Sequence, residues 1–379
     1  MHDHPPLARF GGFLATDLVD VTDDPAALDS RGWWAVVAGF EGRLVCARFA
    51  TLRTAPGAAP GPPSTTRWRG PDPRSWTSSL DRADYLAGVA AVHSRIAAGD
   101  VYQVNLCRVL SAPLPHPGPD PDIDALRAHL AGRHPARYAG SVRLPAHGCE
   151  IATASPELYL RRTGDAVESG PIKGTARTPE LLLPKDRAEN VMIVDLVRND
   201  LGAVCAPGSV TVPRLCGVED YPGLVHLVSR VAGRLAEGAG WPELLAHTFP
   251  PGSVTGAPKS SALRAIGELE TAPRGPYCGG IGWVDADRGV GELAVGIRTF
   301  WIDRVEGRPW LRFGAGAGIT WDSDPEGEWA ETELKAERLL RVASEPGDGD
   351  GDGDEANASD GHLVAEVRRS GHGADLAGR

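Results

Sequence analysis

Apolar and polar positions along this chain change their period several times, and each change predicts an element. Residues 11–50 set short apolar runs, among them Gly11-Gly12-Phe13-Leu14 and Trp33-Trp34-Ala35-Val36-Val37, between turn signals, the pattern of β-strands in a meander. From Thr54 to Pro73 the density of Pro, Gly, Ser and Thr predicts a loop or linker. Between Asp81 and Ala98 the apolar residues Leu86, Val89, Val92 and Ile96 repeat with a helical period that Gly99-Asp100 ends. Strict alternation over residues 101–106 then predicts a strand, 111–121 a Pro-rich loop and 122–132 a helix.

The remaining pattern predicts strands over 136–144, 149–154 and 157–163, leading to a Pro/Gly turn at Glu168-Ser169-Gly170-Pro171-Ile172-Lys173-Gly174-Thr175. A helix over 185–201, strands over 209–213 and 224–233 and a helix over 241–248 follow. A second Gly/Pro turn, Gly252 to Lys259, opens a helix to Leu269. Strands over 278–284, 291–301 and 309–320 and a helix over 326–343 complete the order. The tail from 344, with Gly347-Asp348-Gly349-Asp350, cannot bury enough apolar area to fold, and disorder is expected there.

Composition narrows the class. The chain has 379 residues and a formal net charge of -11, and from Glu345 onward nine acidic residues face three basic ones. The body is thus only mildly acidic, which argues against nucleic acid or an anionic membrane as partner. No basic segment followed by an apolar stretch opens the chain, and no apolar run is long enough to span a bilayer, so a cytoplasmic location is expected. Six cysteines without a CxxC pair fit buried reduced thiols better than zinc ligands.

Candidate chemistry is scattered along this frame. Lys173, held between Ile172 and Gly174, is either a solvated loop cation or, if desolvated, an amine nucleophile. Asp186 and Glu189, and likewise Glu328 and Glu331, stand i,i+3 near helix starts; Lys335 follows Glu331 by one turn. Spacing alone leaves two readings, solvated faces with a Glu331–Lys335 ion pair or a Mg²⁺ site completed by an anionic substrate. The 252–259 turn, with Thr255, reads as an anion cradle at a helix start, though not as a Walker motif. Gly314-Ala315-Gly316-Ala317-Gly318 lacks the frame of a dinucleotide fingerprint and fits a strand that a ligand approaches closely. Arg298, in an apolar strand, calls for a carboxylate partner. Glu157 is a surface glutamate or a general acid, and His226 a core histidine or a catalyst.

Taken in order, Gly99 to Leu106, Ser155-Pro156-Glu157, Pro171 to Thr175, Lys185 to Asn190 through Arg198-Asn199-Asp200, Gly252 to Lys259, Ile297-Arg298-Thr299 and Glu331 to Lys335 resemble the chorismate-utilising enzymes. The resemblance runs from about Asp81 to Val342. It implies an α+β fold of two stacked, mostly antiparallel sheets flanked by helices, as in anthranilate synthase component I. Residues 1–80 would be a β-rich segment and linker completing one of the sheets, and 81–343 the chorismate-binding catalytic domain. Within the family, Lys173 together with Gln103, where water-adding members carry a lysine base, resembles aminodeoxychorismate synthase component I, a transaminase-type transferase. Anthranilate or isochorismate formation on the same scaffold is the alternative, and a phosphate- or nucleotide-binding regulator the alternative outside enzymes.

On that resemblance Lys173 attacks chorismate C2, Glu157 is a general acid/base, and His226 is a further catalytic candidate. Glu189, Glu331, Glu328 and Asp186 would hold Mg²⁺, while Gly174, Thr175, Thr255, Tyr277, Arg298, Gly316 and Gly318 would line the substrate site. Ammonia would come from a glutamine amidotransferase subunit, component II, since no Gly-x-Cys-x-Gly nucleophile turn is present. The product, 4-amino-4-deoxychorismate, is a precursor of 4-aminobenzoate and folate. The stretch before Asp81 is shorter than the family's, and Arg137-Tyr138-Ala139 departs from its tryptophan-pocket pattern, so bound tryptophan is not expected.

Overall fold

The computed structural model describes residues 4–54, 67–221 and 224–347. The expected acidic tail lies, from residue 348, outside the described residues, as does most of the expected linker. Eighteen strands and six α-helices are present among the described residues. The strands are β1 (Leu7–Phe10), β2 (Phe13–Thr22), β3 (Trp33–Ala38), β4 (Leu44–Thr54), β5 (Thr77–Ser78), β6 (Gln103–Pro113), β7 (Tyr138–Leu144), β8 (Cys149–Ser155) and β9 (Leu158–Thr163). They continue as β10 (Ala166–Gly170), β11 (Ile172–Ala176), β12 (Thr211–Tyr221), β13 (Leu224–Arg234), β14 (Gly256–Ala257), β15 (Gly280–Asp285), β16 (Val290–Val295), β17 (Thr299–Val305) and β18 (Arg308–Ile319). The helices are α1 (Arg82–Ala97), α2 (Ile123–Arg133), α3 (Pro184–Gly202), α4 (Trp241–Thr248), α5 (Lys259–Leu269) and α6 (Pro325–Ser344).

Every strand pair is antiparallel, and hydrogen bonds run without a break through the order β12-β13-β10-β9-β16-β15-β3-β4-β2-β1-β7-β8-β17-β18-β6. The run doubles back on itself at the β1–β2 hairpin. Trp34, Phe49, Leu160 and Leu293 from one half and Val109, Val142 and Ile151 from the other share one buried core, so the two halves are stacked layers. The fold is α+β, with helices packed around the sheets.

Two helical pairs cover the β6–β18 half. α2 and α6 bring Leu126, Leu130 and Leu339 onto Phe300 and Phe313, whose ring centroids are 4.7 Å apart. Burying each such ring stabilises the fold by roughly 1.5–3 kcal/mol. α1 and α5 bring Tyr85, Val89, Val92 and Ile266 onto Leu106 and Ile319. α1 begins where its sequence predicts, because the Asp81 carboxylate accepts from the Asp84 N–H at 2.8 Å. It stops at Gly99, whose φ of 80° suits a helix end.

Four expectations need correction. The first strands are not a meander: β4 pairs with both β2 and β3, because the 3₁₀ turn Pro25–Asp29 carries the chain past β4's position. They also complete both layers rather than one, β1 pairing with β7 and β3 with β15. The predicted 291–301 strand is two strands in different layers, parted at Gly296-Ile297-Arg298, where Arg298 adopts a φ of 52°. Finally, Lys173 lies not in a turn but within β11. There Gly174, at φ 83°, makes a bulge against β13 that periodicity cannot reveal.

Candidate active site

Over residues 314–318 one face of β18 is bare, because Gly314, Gly316 and Gly318 occupy alternate positions and no Cβ stands there. What replaces the missing side chains defines the site. A Cβ on Gly314 would strike the Tyr277 ring at 2.1 Å, and one on Gly316 the Cys107 sulfur at 2.5 Å. On Gly318 it would lie 2.3 Å from Gln103 Nε2 and 3.3 Å from Lys173 Nζ. The Lys173 amine and the Gln103 amide therefore meet over the same stretch of bare backbone. Gln103 is fully buried, and neither of its amide atoms has a hydrogen-bond partner. A buried amide in that state is costly on its own and suits a ligand that satisfies it.

Glu157 follows β8 in the tight Ser155-Pro156-Glu157 segment, where the Ser155 hydroxyl accepts from the Glu157 N–H at 3.2 Å. Its carboxyl is buried, and burial pushes its pKa from 4.5 up to about 7, although hydrogen bonding from Ser253, the Lys173 charge and the Ile172 backbone pull the other way. A carboxyl poised near neutrality within the field of an amine can give and take a proton at working pH. Thr175 in β11 faces His226 in β13, with Thr175 Oγ1 and His226 Nδ1 2.8 Å apart. Burial first, and the Arg298 charge second, bring His226 down to about 4. It is neutral at ordinary pH. Arg298 Nη1 lies 3.4 Å from Nε2 of His134, which burial and the charges of Arg298 and Arg338 also lower to about 4.

Four carboxylates rim the other side. A Cβ on Gly174 would lie 2.8 Å from Asp186 Cβ, so α3 begins directly against the bulge. The Asp186 carboxylate caps its own helix, accepting from the Leu183 N–H at 2.8 Å. Glu189, one turn on, is pushed up by burial and by the Asp186 and Glu331 charges, against Lys173 and Lys185. On α6, Glu328 accepts from the Ser323 hydroxyl at 2.6 Å; burial and Glu331 raise its pKa. Burial would raise Glu331 too, but Lys335, 2.6 Å away, holds it down. Lys335 also donates to the Gly316 carbonyl at 3.0 Å, so α6 is fastened to the glycine face.

These carboxylates feel one another's charge, yet among the described residues no group of three or more His, Cys, Asp or Glu is gathered tightly enough to hold a metal ion unaided. Hard carboxylate oxygens are the donors that Mg²⁺ takes alongside waters and an anionic substrate. The residues fit the ion in kind.

Two predicted site residues have their polar atoms engaged elsewhere. The Thr255 hydroxyl bonds the Pro251 and Gly252 carbonyls at 3.2 Å each, which shapes the 252–259 turn. The Tyr277 hydroxyl lies 3.8 Å from the Cys107 sulfur in the core, with its ring filling the Gly314 position. Lys259 donates to Asp200 at 2.6 Å and to the Thr248 carbonyl at 3.0 Å, tying the turn to α3. Behind the glycine face, the buried Arg274 bonds Glu270 at 2.6 Å, the Asn105 carbonyl at 2.7 Å and the Val254 carbonyl at 2.9 Å. Asp200 and Lys259 stand in motifs of the sequence, but their pairing carries no signal because they lie far apart in the chain; His134 carries none, and Arg274–Glu270 reads as an ordinary i,i+4 pair.

The chain matches the model of the family described as chorismate binding enzyme over residues 44–341. It is 40% identical over 279 residues to anthranilate synthase component 1 of Streptomyces coelicolor, covering 70% of this chain and 52% of that one. It is 38% identical over 280 residues to aminodeoxychorismate synthase component 1 of Salmonella typhimurium, covering 70% and 59%. The chain thus spans between half and two thirds of the length of these curated relatives. A crystal structure of a 2,3-dihydroxybenzoate-specific isochorismate synthase from Bacillus anthracis superposes with a TM-score of 0.72 at 25% identity, over 90% of this chain and 97% of that one.

Proposed function

The chain belongs to the chorismate-binding enzymes, and from that premise we propose that it aminates chorismate to 4-amino-4-deoxychorismate through a covalent intermediate on Lys173. The observation that carries this reading is the Lys173 amine beside Gln103 over the bare backbone of Gly318. The site sets an amine, which can act as a nucleophile, beside an uncharged amide, which cannot take a proton from water.

In this reading the Lys173 nitrogen attacks as an amine and forms a C–N bond at C2 of chorismate. Both ring double bonds shift along C1, C6 and C5 and the C4–O bond breaks, with Glu157 giving its proton so that the hydroxyl leaves as water. Ammonia then bonds at C4, both ring double bonds return, and the C2–N bond to Lys173 breaks. The carboxylate of Glu157 takes the proton released from the incoming ammonia, which restores the acid. The enolpyruvyl group is retained. Gln103 donates to a polar group of the substrate, Arg298 pairs with one of its carboxylates, and the Thr175–His226 pair fixes β11 beside Lys173.

Glu189 and Glu331, supported by Glu328 and Asp186, would hold Mg²⁺, which would supply a positive charge to a substrate carboxylate and to the departing hydroxyl. A glutamine amidotransferase subunit would deliver the ammonia, and the product would serve 4-aminobenzoate and folate synthesis in the cytoplasm. Among the described residues no helix is long and apolar enough to cross a membrane.

The test is product analysis with chorismate, Mg²⁺ and an ammonium salt on the native chain and on Lys173→Ala. A product that keeps the enolpyruvyl group and gains an amine is expected from the native chain, with a loss on the order of 100-fold or more in the variant. Intact-mass analysis should also capture the Lys173 adduct when ammonia is withheld. Anthranilate from the native chain would overturn the reading in favour of the activity carried by the Streptomyces coelicolor relative.

A further inference from the structure

A cavity of about 20 Å³ lies beside Glu157, and neither Gln103, Lys173 nor the β18 glycines line it. Its lining includes Glu157, Ser169, Val197, Asp200, Thr248, Gly252 and Ser253. Glu157 Oε1 is buried and has no hydrogen-bond partner. Asp200, on the same lining, is paired with Lys259 at 2.6 Å through Asp200 Oδ2, and Lys259 also bonds the Thr248 carbonyl at 3.0 Å. A Cβ on Gly252 would lie 3.7 Å from that same Oδ2, which brings Asp200 up against the loop that carries Ser253. A cavity of this volume accommodates one water, and polar partners are what such a water requires.

We propose that this cavity is a built water site through which the Asp200–Lys259 pair positions Glu157 and sets its proton affinity. The water donates one hydrogen to Glu157 Oε1 and the other to Asp200, so the orphaned oxygen of the acid is satisfied alongside the hydrogen bonds that Ser253 and the Ile172 backbone give its carboxyl. Lys259 neutralises Asp200 and so keeps a second buried negative charge away from Glu157. Asp200 and Lys259 are positioning residues here, acting through the water and Glu157. The charged and titratable groups around this arrangement are Lys173, Asp200, Lys259 and Tyr159, whose hydroxyl is held by Thr248 at 2.7 Å. The inference rests on Glu157 being the acid of the proposed reaction, but its test needs no turnover.

The infrared carboxyl band that vanishes in Glu157→Gln reports the titration of Glu157 in the intact chain without substrate. Asp200→Asn leaves the Lys259 cation unbalanced and should move the midpoint down by about one pH unit, whereas Lys259→Gln leaves Asp200 unbalanced and should move it up. Val197→Leu, a mild change that fills the cavity without touching any charge, should also move it up by removing the only donor to Oε1. Opposite shifts in the two charge variants are a signature that general structural damage would not give. The inference is overturned if both charge variants move the midpoint the same way. It is equally overturned if Asp200→Asn and Val197→Leu, with native circular dichroism, titrate as the parent does.

Discussion

Replacing Glu157 by glutamine should make the protein more stable at alkaline pH while removing its activity. The native carboxyl is buried and titrates at about 7 rather than 4.5. A folded pKa above the unfolded one means that the folded state holds the proton more tightly. The associated stability is therefore complete below about pH 4.5 and is lost as pH rises through about 7. At about 1.4 kcal/mol per pH unit, the gap between those values costs the native chain about 3 kcal/mol once the medium is well above neutrality. Glutamine keeps the shape and never ionises, so the variant escapes that loss. Urea-unfolding midpoints of both chains at about pH 5 and about pH 8 would measure it: the difference between them should change by about 2–3 kcal/mol in favour of the variant. A difference that stays constant across that interval would refute the reasoning, because Glu157 would then titrate as an ordinary solvated carboxyl.

Three further outcomes follow from the geometry. Gly318→Ala places a methyl 2.3 Å from the Gln103 amide and 3.3 Å from the Lys173 amine, so both groups of the site must shift to admit it; steady-state kinetics should show kcat falling by about 10- to 100-fold, the equivalent of about 1–3 kcal/mol. Arg274→Met strands the buried Glu270 carboxylate and should cost about 3–5 kcal/mol in denaturant unfolding, while the double change Arg274→Met/Glu270→Leu should recover part of that loss. His226, buried and neutral down to about 4, should cost the native chain stability as pH falls from about 6.5 toward 4, since a folded pKa below the unfolded one binds fewer protons. Unfolding midpoints at about pH 7 and about pH 5 should show that His226→Gln lacks this loss.

What could be read in advance was what depends on neighbours in sequence. Helices α1, α3 and α6 announce themselves through a capping Asp or an N-terminal Pro and an apolar stripe of helical period. Misreadings arose where one local signal serves two geometries. Pro171 and Gly174 look like a turn, yet the glycine's positive φ makes a bulge inside β11, and Lys173, within that bulge, lies close to Gly318 of β18. Arg298 takes a left-handed conformation that nothing in an apolar run foretells, and it breaks one expected strand into two. The residue types of the site were visible in short motifs. Their meeting was not, because Gln103, Lys173 and Gly318 come from β6, β11 and β18, and only the tertiary fold brings those strands to one place.

The pairing order of the strands has a consequence in time. β6 pairs along its length with β18, and β3 pairs with β15, so partners are separated by more than half of the chain. Loop closure over such distances is entropically dear, which predicts slow folding of high contact order. During synthesis from the N-terminus, β3 and β6 leave the ribosome long before the strands that will cover their open edges. Until residues 280–319 appear, those edges are templates for association with other chains, and a chaperone holding them would shorten the interval of exposure. The bare face of β18, on which the site depends, is thus among the last parts of the molecule to be put in place.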